Sequence, residues 1–185
     1  MRKAIPMLLL LAMVSAAPAF AQRYASFPRF ASGMGWTSEM FFTNQGISKV
    51  SSIRIQFYDQ NGNDLSVETN LGKSSGFTFS LNPGATQPIH VTPGSAFVEG
   101  YVMISYPSFD SPVRASQIYR YEENGIVEVE VGLPQQEQGD HFSFPVEINS
   151  SKGIFTAVGF SNPAGFNASA EQTLIVNLIK ADGSV

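Results

Sequence analysis

Few residues in this chain are of a type that could perform chemistry, and their spacing limits what that chemistry could be. There are two histidines, His90 and His141, and no cysteine. Each histidine stands beside turn or loop residues. Neither belongs to a His-x-His, His-x-x-x-His or His-Glu-x-x-His pattern that would bring metal ligands together. Without cysteine there are no disulfides, thiolate metal sites or thiol nucleophiles. Serine is plentiful, but the chain has no Gly-x-Ser-x-Gly elbow to strain a nucleophile and no glycine-rich phosphate loop. Two carboxylate pairs meet the minimum for glycoside hydrolysis. Glu128 and Glu130 alternate along one strand, and Glu122 and Glu123 flank a turn. Nothing apolar encloses either pair, so neither has the desolvated setting that raises a carboxyl pKa for acid catalysis. A solvated outer face is the expectation, and the chain reads as a non-enzyme.

Two further constellations suit binding rather than catalysis. Asp59, Asn61 and Asn63 occupy alternate positions, as ligands do at the start of a calcium loop. The sixth position is Asp64 instead of glycine and the twelfth is Asn70 instead of glutamate. A plain hairpin turn is therefore expected, with weak calcium binding as the alternative and no other cofactor. Tyr58 and Tyr101 fall on outward positions, and Tyr119 and Tyr121 are further candidates for the same role. Aromatic rings on a sheet face can stack on sugar rings or anchor a protein partner, although tyrosine is also an ordinary strand residue.

The elements that must carry these residues are strands. From Trp36 to Asn44, Trp36, Ser38, Met40 and Phe42 share one face while Glu39, Phe41 and Thr43 share the other. Trp36, the single tryptophan, is expected at the centre of the core. Ile53, Ile55 and Phe57 alternate with Arg54, Gln56 and Tyr58 before the Asn61-Gly62 turn, a strong hairpin signal. Phe77, Phe79 and Leu81 repeat the pattern ahead of Asn82-Pro83-Gly84. Further strands are read over 97–106, 113–121 and 126–131, the last two joined at Asn124-Gly125, and again over 142–148. Short strands punctuated by Gly, Pro and Asn predict an all-β, antiparallel β-sandwich of immunoglobulin or fibronectin-III proportions.

The first 21 residues stand apart. Arg2 and Lys3 precede the apolar run Met7–Val14, and Ala19-Phe20-Ala21 offers a small-x-small cleavage pattern, so residues 1–21 read as an export signal. The run is shorter than the roughly 20 residues that span a bilayer, and no transmembrane segment is expected. The net charge of −4 lacks the basic excess of nucleic-acid binders. An aromatic share of 12% is too high for a disordered chain. Export with no cysteine fits a bacterial source.

The chain also begins to repeat itself. Phe144-Pro145 answers Phe27-Pro28, and Ser161-Asn162 answers Thr43-Asn44. Gln172 to Gly183 then lies over Ser51 to Gly62, with Leu174, Val176 and Leu178 in place of Ile53, Ile55 and Phe57. The expected organisation is a signal over 1–21, a sandwich module over 22–142, and over 143–185 the first strands of a second, truncated copy. An unfinished copy would leave strands prone to tandem or edge-to-edge association.

The stretch FPRFASGMGWTSEMFFTNQG followed by IRIQFYDQNGNDL resembles a recurrent module of secreted bacterial proteins. Its Phe-Pro-x-Phe-Ala opening, Gly-Trp-Thr step and Phe-Tyr-Asp-x-Asn-Gly close all lie between Phe27 and Gly62. The resemblance implies tandem extracellular β-sandwiches without assigned chemistry, and it transfers no site residues. The function expected is a non-catalytic exported module that contacts a protein or glycan at the cell surface. Carbohydrate binding through the tyrosines is the alternative, and a carboxylate hydrolase is a more distant one.

Overall fold

The computed structural model describes residues 22–137 and 175–176. The expected export signal over 1–21, His141 and the expected second copy over 143–185, apart from Ile175 and Val176, lie outside the described residues. Among the described residues eleven strands run in chain order: β1 (Arg23–Ser32), β2 (Trp36–Asn44), β3 (Val50–Tyr58), β4 (Val67–Thr69), β5 (Gly72–Ser74), β6 (Gly76–Leu81), β7 (Thr86–Val91), β8 (Val98–Tyr106), β9 (Val113–Glu123), β10 (Ile126–Pro134) and β11 (Gln136–Glu137). Among the described residues no helix is long and apolar enough to cross a membrane.

The strands form two antiparallel sheets, ordered β11-β1-β8-β3-β6 and β10-β9-β2-β7-β4-β5. The fold is all-β and a β-sandwich, as the alternation predicts. The chain changes sheet at every connection except β4–β5 and β9–β10, a path distinct from the immunoglobulin order, which keeps its first two strands in one sheet.

The core forms where the inner faces meet. Met40 and Phe42 from β2, Ile53, Ile55 and Phe57 from β3, Val102 and Ile104 from β8, and Phe27 and Phe30 from β1 are fully buried there. Edge-to-face rings tie the sheets together where Phe42 lies 6.4 Å from Phe27 and 5.3 Å from Phe79, and within one sheet Phe57 lies 5.2 Å from Phe30. Such pairs add about 0.5–1.5 kcal/mol each beyond the area they bury. Gln117 of β9 shares this inner face, and its buried amide finds no hydrogen-bond partner among the described residues.

Trp36 is not at the centre of the core. It stands on the inward face of β2, as the alternation requires, but only half-buried at the end of the strand. Ser38 closes the core just short of it. The Ser38 hydroxyl donates to the Ala31 carbonyl at 2.8 Å and accepts from the Ala31 amide at 3.0 Å. Past Ser38, β1 is already turning into β2, and from β1 it is the Arg29 guanidinium that reaches the indole. Alternation reports which face a residue takes, not how far along the sandwich it sits.

Candidate functional site

Trp36 instead begins an aromatic wall at one end of the sandwich. The Met34-Gly35 turn that delivers it has φ of 51° and 89°, positive at both central residues as a type I′ hairpin turn requires. Gly33 and Trp36 close the turn with reciprocal backbone bonds of 2.9 and 3.0 Å. Gly35 is also needed for close approach, because a Cβ there would fall 2.5 Å from the Glu122 carbonyl oxygen and 2.9 Å from the Tyr121 ring. β9 can therefore lie tight against the turn, and the register sets Trp36 opposite Tyr121 and Ser38 opposite Tyr119.

The indole lies 5.1 Å from the Tyr121 ring and 6.0 Å from the Tyr119 ring, tilted by 36° and 39°. The Arg29 guanidinium sits over it, 5.7 Å from the ring centroid. Arg29 also pairs with Glu99 at 3.1 Å, and Glu99 accepts from the Gln60 amide. β10 continues the wall. Val129 and Val131 pair with Tyr121 and Tyr119, so their side chains share that face, and Val129 is 41% exposed.

The four candidate tyrosines therefore belong to two different places. Tyr119 and Tyr121 join the wall on inward-parity positions that the opposite sheet leaves partly open. Tyr58 and Tyr101 form a separate cross-strand pair in the other sheet, stacked at 5.1 Å with an 18° interplanar angle. Tyr101 is only 8% exposed, so it offers no open platform. Burial pushes both phenols up from their ordinary pKa; Asp64 adds to this at Tyr58, and Tyr58 adds to it at Tyr101. Their role is to seat the 59–63 turn, since a Cβ on Gly62 would come within 3.6 Å of the Tyr101 hydroxyl.

Asp59, Asn61 and Asn63 do come together, and they do so as a turn. One Asp59 carboxylate oxygen accepts from the amides of Asn61 at 2.8 Å and Asn63 at 2.9 Å, and the other accepts from the Asn63 side chain at 3.0 Å. These donors, the Asn63 side chain foremost, hold the Asp59 pKa below its ordinary 3.8. Because the folded pKa is depressed, this contribution to stability is present above pH 3.8 and is lost as pH falls through the folded value. In acid titrations, Asp59→Asn is expected to flatten the fall of melting temperature below that pH. Millimolar calcium should leave the melting curve of the unaltered protein in place. A calcium-dependent rise that Asp59→Asn abolishes would establish the loop reading instead.

The remaining candidates are dispersed. Glu130 takes two hydrogen bonds from the exposed Arg120, one of them 2.7 Å long. Glu128 falls in a β-bulge between Val127 and Val129, and it is exposed. Glu122 and Glu123 are exposed before the Asn124-Gly125 turn. All four of these carboxylates are exposed. His90 lies within β7 rather than in a loop, with its Nδ1 3.0 Å from Glu39. No cluster of three or more metal-binding side chains occurs among the described residues.

Sequence reading overlooked Trp36, Arg29 and Val129 as surface residues. The available signal was Gly33-Met34-Gly35 directly before Trp36, since a tight turn pins the tryptophan to a strand end. No family model, curated protein or solved structure matches this chain.

Proposed function

We propose that the chain is a non-catalytic, exported β-sandwich module that works by contact with another macromolecule at the cell surface or outside the cell. One observation carries the reading: Trp36, Tyr119 and Tyr121 form a partly open wall, roofed by Arg29 and continued by Val129. Tryptophan, tyrosine and arginine dominate the energetics of protein interfaces, because each joins a large contact area to a polar handle. Residues 1–21 supply export, and residues 143–185 start a second module. Two modules in tandem would raise the effective concentration at a repetitive partner.

A carbohydrate partner is the second reading. Tilted rings beside the Arg29–Glu99–Gln60 hydrogen-bonded chain offer both a stacking surface and polar groups for hydroxyls.

Proximity labelling of the exported protein in its native cell, repeated with Trp36→Ala and Tyr121→Ala, tests the proposal. A reproducible set of neighbours that both substitutions deplete is expected, corresponding to about 2 kcal/mol, or roughly 30-fold, in affinity. Unchanged neighbours in variants that melt like the parent would overturn it. Binding to a glycan array that both variants lose would decide for the sugar, and a silent array would remove that second reading.

A further inference from the structure

The end of the sandwich opposite the aromatic wall holds an open cleft of about 480 Å³ between the start of β1, the 107–112 connection and β11. We propose that this cleft binds the carboxylate of a small monoanionic ligand whose flat apolar body rests on Phe109. The inference is independent of the aromatic wall.

Two guanidiniums converge here on one oxygen. Arg23 donates to the Ser111 carbonyl at 3.0 Å, and Arg114 donates to the same atom at 3.3 Å. Arg23 is fully committed. Its side chain is buried, lies 5.0 Å from the Tyr106 ring centroid, and pairs with Glu137 at 2.6 Å. Arg114 is not. Its Nη1 is held by the carbonyls of Ser111 and Val113, while among the described residues Nε and Nη2 have no partner and no carboxylate pairs with it. Tethering one nitrogen fixes the plane of the guanidinium and presents its other edge as a fork for two oxygens.

The second observation is the Ser111 hydroxyl. Ser111 is 2% exposed, and among the described residues its Oγ has no hydrogen-bond partner. A hydroxyl buried without a partner is costly, and native proteins rarely leave one so. Ser111 and Arg114 are both lining residues of the cleft. The third is Phe109, 68% exposed on the rim. An aromatic ring held in water at the mouth of a small-molecule-sized cleft provides an apolar contact.

Charge sets the class of ligand. Asp110 and Glu137 also line the cleft, so two cations face two anions. That balance leaves no excess for a dianion such as phosphate and favours a single carboxylate that uses the unpaired fork.

Titration of the isotopically labelled protein with benzoate, followed by amide chemical shifts, tests the site. Benzoate should perturb Phe109, Ser111 and Arg114 with saturation. Acetate, which lacks the body, benzamide, which lacks the charge, and inorganic phosphate should each bind at least tenfold more weakly. Arg114→Gln should weaken benzoate at least tenfold. Phe109→Ala, on an exposed loop where folding is not at stake, should weaken it about threefold. Equal binding of benzamide, tighter binding of phosphate, or benzoate affinity unchanged in both variants would overturn the proposal.

Discussion

Gly100→Ala is expected to destabilise the fold by about 3 kcal/mol or more, at the upper end of what overpacking costs. Gly100 lies in β8, the central strand of its sheet, between β1 and β3. A Cβ there would stand 1.9 Å from the Tyr58 carbonyl oxygen and 3.1 Å from the Phe30 ring. The oxygen belongs to the backbone of the neighbouring strand, so it cannot swing aside as a flexible side chain would. Relief requires β3 and β8 to separate, which breaks the pairing of Tyr58 with Tyr101 and loosens the seat of Phe30. Gly132→Ala in β10 is the control. Nothing lies within 4 Å of its Cβ position, and the entropy removed from the unfolded chain should stabilise by about 0.5 kcal/mol. Urea denaturation of both variants checks the contrast. Equal midpoints would mean that β8 and β3 are not as close as described.

Phe42→Ala should cost about 3–5 kcal/mol. Its ring is fully buried and reaches both Phe27 and Phe79 in the opposite sheet. Truncation opens a cavity that both sheets line, and neither sheet can collapse into it without shifting its hydrogen-bonded register. Phe41, the next residue along β2, points to the outer face and is half-buried, so Phe41→Ala should cost only about 1 kcal/mol of surface contact. Measuring both by chemical denaturation tests the facing of β2 directly. A similar loss at the two positions would contradict it.

Several elements were legible because one local rule governed them. Ile53, Ile55 and Phe57 alternate with polar neighbours and are all fully buried in β3. Asn61-Gly62 and Asn124-Gly125 promise turns with positive φ, and Gly62, Asn124 and Gly125 adopt it at 83°, 53° and 79°. β1 escaped alternation because it breaks the period. Its pairing with β8 shifts between Phe27 and Phe30, around Pro28, and the shift brings two residues three apart to the same core. β7 was hidden by Pro88 in its middle, although that strand places Ile89 and Val91 in the core.

The candidate sites were less legible for a different reason. Tyr58, Tyr101, Tyr119 and Tyr121 look equivalent in sequence, yet two are packed into a seat for a turn and two stand in a partly open wall. The arginine cleft depends on β1 starting beside the 107–112 connection, and Arg23 and Ser111 are 88 residues apart.

The sequence by itself determined the all-β class, the inward faces of the central strands and the two Asn-Gly turns. These follow from side-chain period and backbone sterics, which act over a few residues. The tertiary structure alone decided that Trp36 leaves the core and that two guanidiniums meet at one carbonyl. It also decided that Gly100 must have no side chain. Those outcomes depend on which strands become neighbours and where each one ends, and long-range packing of the two sheets sets both.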